Sequence, residues 1–146
     1  MSLLNGASPS VFLIGATLAL LIGGMASVVG LDRDRAFYPT VLMVVASYYI
    51  LFAAIGGEPG VLTVELGIAA VFVVLALAGF RQSLWLVAAA LAGHGIFDLF
   101  HGRLVTNPGM PAWWPAFCMA YDVVAGVYLA VLLRRRPGDV RREGHP

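Results

Sequence analysis

Residues 61–80 read VLTVELGIAAVFVVLALAGF, a run of twenty positions whose single charge is Glu65. At 1.5 Å of rise per residue such a run makes a helix of about 30 Å, the thickness of a bilayer's hydrocarbon core. A helix satisfies its own backbone hydrogen bonds, and lipid offers no substitute for them, so the stretch reads as a membrane-spanning helix. Four further apolar stretches lie on either side of it, at about 11–31, 37–55, 83–101 and 115–133. The separators are Asp32-Arg33-Asp34-Arg35, Gly56-Gly57-Glu58-Pro59-Gly60, Arg81-Gln82, and a longer run from Gly102 to Trp114 that holds Pro108 and Pro111. The expected fold class is therefore all-α, a polytopic integral membrane bundle of five transmembrane helices over residues 1–136. A polar tail follows at 137–146. The flank before Val11 carries no Lys or Arg, and the first apolar run is long for a signal sequence, so it reads as a retained anchor.

Composition agrees with a lipid environment. The 146 residues are 60% hydrophobic and 12% charged, with a mean hydropathy of +0.89, whereas soluble domains carry about 25% charged residues. A soluble chain of this length has no interior large enough to hide so much apolar surface. The net charge is +1, and no basic face interleaved with aromatics is present, which argues against a nucleic-acid partner. The single Cys118 excludes an internal disulfide. All nine basic residues are arginine. Together with the abundance of Ala, Gly and Val, this suggests a GC-rich bacterial genome and the inner (plasma) membrane.

Arginine placement predicts orientation. Arg33, Arg35, Arg81, Arg134, Arg135, Arg136, Arg141 and Arg142 fall on one side of a five-helix chain, and Arg103 alone falls on the other. The positive-inside rule then sets the N-terminus outside and the C-terminus in the cytoplasm. Trp113 and Trp114 belong to the outer aromatic belt in this arrangement.

Ionisable groups within a bilayer are costly and need a reason. The third stretch carries Glu65, the fourth carries His94, Asp98 and His101, and the fifth carries Asp122. Positions 94, 98 and 101 follow i, i+4, i+7, so they share one stripe of a helix that has to face the bundle. Depth makes a second coincidence. Counted from the outer ends of their helices, Glu65 lies about 6 Å down, and His94 and Asp122 lie about 10 Å down. Tyr48 and Tyr49 reach a similar level.

Two imidazoles and several carboxylates are ligands suited to zinc or non-haem iron, with His94, His101 and Asp122 as the candidate metal set. Asp98 is equally suited to orient an imidazole. His94 and His101 stand about 10 Å apart along the axis, so sharing one ion requires them to reach towards each other. Without a metal, a His–Asp pair serves as a general acid and base or relays protons. A structural reading stands beside these, in which the same groups bind helices together. Cys118 also reads as a small core residue, Tyr48 and Tyr49 as packing or interface residues, and Glu65 as a group within a turn of solvent.

The segment His94-Gly-Ile-Phe-Asp98-Leu-Phe-His101 resembles an H-x-x-x-D-x-x-H helix of a family of small bacterial integral membrane proteins of unknown function. The Asn107-Pro108 and Pro111 loop is similar too, as is Cys118 four residues before Asp122. The resemblance covers residues 85–130, and the chain departs from the family's pattern at Gly102, where a second histidine is expected. It implies a fold and marks positions, and it brings no activity. Function is thus expected from the residues themselves: a membrane-embedded metal- or acid/base-dependent enzyme acting on a lipidic or small hydrophobic substrate through His94, Asp98, His101, Asp122 and Glu65. The alternatives are a small transport or binding module for a proton or cation, and a purely structural network. Membrane lipid is the expected partner, and a homo-oligomer would supply further walls to a five-helix chain.

Overall fold

A computed structural model describes residues 7–136, and the expected polar tail at 137–146 lies outside them. Among the described residues, five α-helices follow one another: α1 (Pro9–Val29), α2 (Phe37–Gly56), α3 (Pro59–Arg81), α4 (Leu84–Leu104) and α5 (Trp114–Arg135). A single 3-10 turn, Leu31–Arg33, sits between α1 and α2. All five helices are long and apolar enough to cross a membrane, and the chain is a multi-pass membrane protein.

The helix ends explain themselves. Proline stands in the first turn of α1, α3 and α5, where a missing N–H costs nothing because that donor has no intrahelical partner. Ser83 caps α4, its side chain accepting a hydrogen bond from Trp85 N at 3.3 Å. Gly30 and Gly57 end α1 and α2 at φ values of 90° and 73°, the left-handed conformation that favours glycine. That cap stops α1 at Val29 rather than at residue 31. Helix α4 runs past His101 to Leu104, because Gly102 and Arg103 continue the helix instead of breaking it.

Chain neighbours are not always packing neighbours. Helix α5 lies between α1 and α4, α3 packs on α2 and α4, and α2 touches α4, whereas α1 and α2 make no more than a marginal contact. Close approach relies on small residues, as expected where lipid removes the hydrophobic drive for helix association. A Cβ at Gly15 would strike the Phe117 carbonyl, and one at Gly126 would stand 2.8 Å from the Ala88 carbonyl oxygen. Large apolar side chains such as Leu13, Ile14, Val28, Val71 and Val74 point outwards, which suits a lipid surroundings and not water.

The arginine-rich end is tied together separately. Ser27 bonds to Asp32 and shares a 2.9 Å hydrogen bond with Tyr128, while Arg136 Nη1 reaches Asp32 Oδ1 at 3.3 Å. Arg35 donates to the Phe80 carbonyl at 2.9 and 3.2 Å. These bonds join α1, the connector and α5, and lock the α2 start to the α3 end.

Candidate functional site

The polar groups of α3, α4 and α5 are all buried inside the bundle, with exposures of 1% or less for Glu65, His94, Asp98, His101 and Asp122. Their arrangement follows from helix geometry. His94 and Asp98 lie one turn apart on α4, and Gly95 lets α5 come close enough for Asp122 to meet them; a Cβ at Gly95 would stand 3.2 Å from that of Asp122. His94 Nδ1 and Asp122 Oδ2 share a hydrogen bond of 2.6 Å, and the same nitrogen stands 3.6 Å from Asp98 Oδ2. Cys118, one turn before Asp122, donates its thiol to the same Oδ2 at 3.4 Å. Asp98 Oδ1 accepts the Tyr49 hydroxyl at 2.6 Å.

Donor atoms of His94, Asp98, Cys118 and Asp122 all lie within 4.8 Å of one another. Two oxygens within this group, Asp98 Oδ2 and Asp122 Oδ1, are buried and have no hydrogen-bond partner. Unsatisfied carboxylate oxygens in an apolar interior cost more than a lost hydrogen bond, so they call for a cation or a proton.

His101 belongs to a neighbouring set. Its Nε2 faces both Glu65 oxygens, at 2.9 and 3.1 Å. Asn107, from the loop after α4, donates to Glu65 Oε1 at 3.0 Å and to the Tyr49 carbonyl at 3.2 Å. The Tyr49 ring lies on the His101 ring with centroids 4.2 Å apart, and its hydroxyl reaches Asp98, so one side chain touches both sets. Phe72 presents its edge to His94 at 4.6 Å and Phe97 presents its edge to His101 at 5.7 Å, which gives both imidazoles apolar walls.

The structure thus brings His94 and Asp122 together as a candidate ligand pair and sets His101 apart with Glu65. Helical rise accounts for this: seven residues on α4 span about 10 Å, and Tyr49 fills the space between. Glu65, read as lying within reach of solvent, is fully buried. Tyr49 and Cys118, read as packing residues, both make polar bonds to the central carboxylates. Tyr48 keeps a packing role, with Trp114 at 4.9 Å. Asn107 joins this buried network; the sequence marked it only as part of the resembling loop and not as a candidate site residue, since a loop asparagine carries no helical periodicity.

Next to the centre lies an apolar groove of about 770 Å³, walled by α1 and α2 and floored by Trp114, Phe117, Cys118 and Tyr121 of α5. Cys118 therefore borders both the groove and the carboxylates. No protein-family description, curated protein or solved structure matches the chain, so the site is read from its own geometry.

Proposed function

We propose that this multi-pass membrane protein is a membrane-embedded enzyme that uses a bound metal ion to act on a lipidic or small hydrophobic substrate. One observation carries the reading: an N, O, S, O donor set from His94, Asp98, Cys118 and Asp122 within 4.8 Å, two of whose buried oxygens have no partner. Ligand atoms around a tetrahedral zinc stand about 3.3 Å apart for bonds of ~2.0 Å, so donor atoms as much as 4.8 Å apart would have to close by up to about 1.5 Å when the ion binds. The thiolate and imidazole favour zinc over harder cations, with non-haem iron second. His94, Cys118 and Asp122 serve as ligands. Asp98, held by Tyr49, stands at the remaining position as orienting carboxylate and acid–base group.

Metal analysis of detergent-purified protein tests this. Wild type should carry about one equivalent of zinc or iron, lost in His94→Ala and in Cys118→Ser and kept in His101→Ala. Protein without metal in any form would sink the metal reading and leave the His94–Asp122 pair as an acid–base couple or as a helix-binding contact.

A second reading, a proton or cation carrier, is favoured by the continuity of the two sets through Tyr49, which bonds Asp98 and stacks on the Glu65-bound His101. Proton flux into liposomes that vanishes with Glu65→Gln would select it. We further infer from the arginine split an N-terminus outside and a cytoplasmic C-terminus, and from the composition residence in a bacterial inner membrane. A reporter after Arg136 that registers as periplasmic would reverse the orientation.

A further inference from the structure

The arginines at one end of the bundle fall into two groups that the fold treats differently. Two contacts bring the connector, the end of α3 and the end of α5 together: Arg136 Nη1 on Asp32 Oδ1 at 3.3 Å, and Arg35 on the Phe80 carbonyl at 2.9 Å. Arg33, Arg81, Arg134 and Arg135 stand within two residues of those contacts, so they share that end of the molecule. Arg35 and Arg136 are spent on protein acceptors. The other four are exposed, and among the described residues none of them makes a hydrogen bond or an ion pair. The two aspartates nearby are already engaged. The Asp32 side chain is fully buried against Ser27 and Arg136, and Asp34 Oδ1 accepts the Ala36 N–H at 2.9 Å. The opposite end has no such excess: among the described residues its charges are Glu58 and Arg103, one of each sign.

Position along the helices fixes what these four arginines meet. Each lies close to an exposed apolar side chain: Leu31 for Arg33, Phe80 and Trp85 for Arg81, and Val131 for Arg134 and Arg135. Those apolar groups belong to the hydrocarbon or its edge, and an exposed tryptophan belongs to the headgroup level. The long arginine stems carry their charged heads from there into the layer of lipid phosphates. A soluble acidic protein would have to approach through that layer. Guanidinium pairs with phosphate through two parallel hydrogen bonds, and an anionic lipid surface is worth about fivefold in binding for each arginine held against it. Zwitterionic phospholipid carries its own cation beside the phosphate and gains less from a second.

We propose that Arg33, Arg81, Arg134 and Arg135 form a docking surface for anionic phospholipid headgroups, selected over zwitterionic ones, while Arg35 and Arg136 hold the fold and take no part in the selection. This surface is separate from the buried centre and does not depend on what the centre binds.

The test titrates full-length protein in detergent with equimolar dioleoyl phosphatidylglycerol and dioleoyl phosphatidylcholine and counts bound lipids by native mass spectrometry. Wild type should bind the anionic lipid at least ~fivefold better. Changing Arg33, Arg81, Arg134 and Arg135 together to Gln should bring the two lipids to within about twofold of each other, on the same per-arginine worth. The pairs Arg33→Gln with Arg81→Gln, and Arg134→Gln with Arg135→Gln, should each remove part of the preference and cover the case in which the fourfold variant does not fold. Changing the same four to Lys should keep most of it, since the charge remains. Arg103→Gln, at the other end, should leave it unchanged. Arg136→Gln should lower the unfolding temperature yet keep the preference. Equal binding of the two lipids by wild type would overturn the proposal and leave the surface to an acidic protein partner. A preference that survives the fourfold Gln change, or that falls as far with Arg103→Gln, would overturn it too. Displacement of the anionic lipid by millimolar glycerol phosphate would mark a site for a free anion and count against a lipid surface.

Discussion

The α4–α5 seam and the α1–α2 groove are made from the same apolar residue types and share α5 as a common wall, yet only the seam is closed. Along the seam, glycines stand where the backbones meet: Gly95 faces the Met119 carbonyl and Gly126 faces Ala88 and Ala92. Along the groove, Leu18, Ile22, Val41 and Val45 face each other across open space. Membrane helices gain little from burying one apolar side chain against another, since lipid is as apolar as leucine. Closure needs backbone approach or polar bonds, and the seam has both through the His94–Asp122 pair. Helices α1 and α2 have neither on their facing sides.

The sharpest way to break this comparison is to add bulk at the seam. Gly126→Leu places a side chain against the Ala88 carbonyl and should cost about 3 kcal/mol, the upper part of the overpacking range. Thermal unfolding in detergent would read it, and an unchanged midpoint would mean that the seam is not the tighter contact. Next in size is the polar bond itself. Asp122→Ala leaves His94 Nδ1 and the Cys118 thiol without their partner and should destabilise by about 1–3 kcal/mol, measured the same way. Asp98→Asn sharpens the distinction between glue and chemistry. It should leave the fold nearly intact, because interhelical bonds of this kind average about 0.6 kcal/mol. Metal content should nevertheless fall about 10- to 100-fold, as on loss of an orienting partner; normal content would return Asp98 to a packing role. The smallest effect belongs to the groove wall. Val44→Ala, at a position 47% exposed, should change stability by no more than about 0.5 kcal/mol. A loss above 2 kcal/mol would show that the groove is closed in the native state.

The five spans were legible because bilayer thickness imposes one length on every helix, and α2 differs from its expected range by one residue. Helix ends were less legible, since they depend on local dihedrals: Gly30 ends α1 and Gly102 does not end α4. Within the site, depth counting found the level shared by His94 and Asp122. It could not assign partners, because helix rotation and the fold of a loop decide them. Glu65 pairs directly with His101 and also accepts from Asn107, a residue from an irregular segment, and Tyr49 took the place between the two imidazoles. Aromatic and thiol side chains satisfy packing and bonding at once, so Tyr49 and Cys118 gave no signal that separates the two.

Asn107 also sets a clock. The loop that carries it is pressed onto the end of α2, where Gly109 meets the Phe52 carbonyl and Pro108 meets Gly56, and the side chain bonds Glu65 beneath it. The buried centre is thus sealed on that side by a strap held with few bonds. If the centre holds an ion as proposed and exchanges it from that side, exchange would wait for the strap to lift, an event of local unfolding on a scale of microseconds to seconds and not of free diffusion. Chelator would then strip the centre at a rate set by loop opening and independent of chelator concentration once opening limits, so retention during purification reports on the loop as much as on affinity.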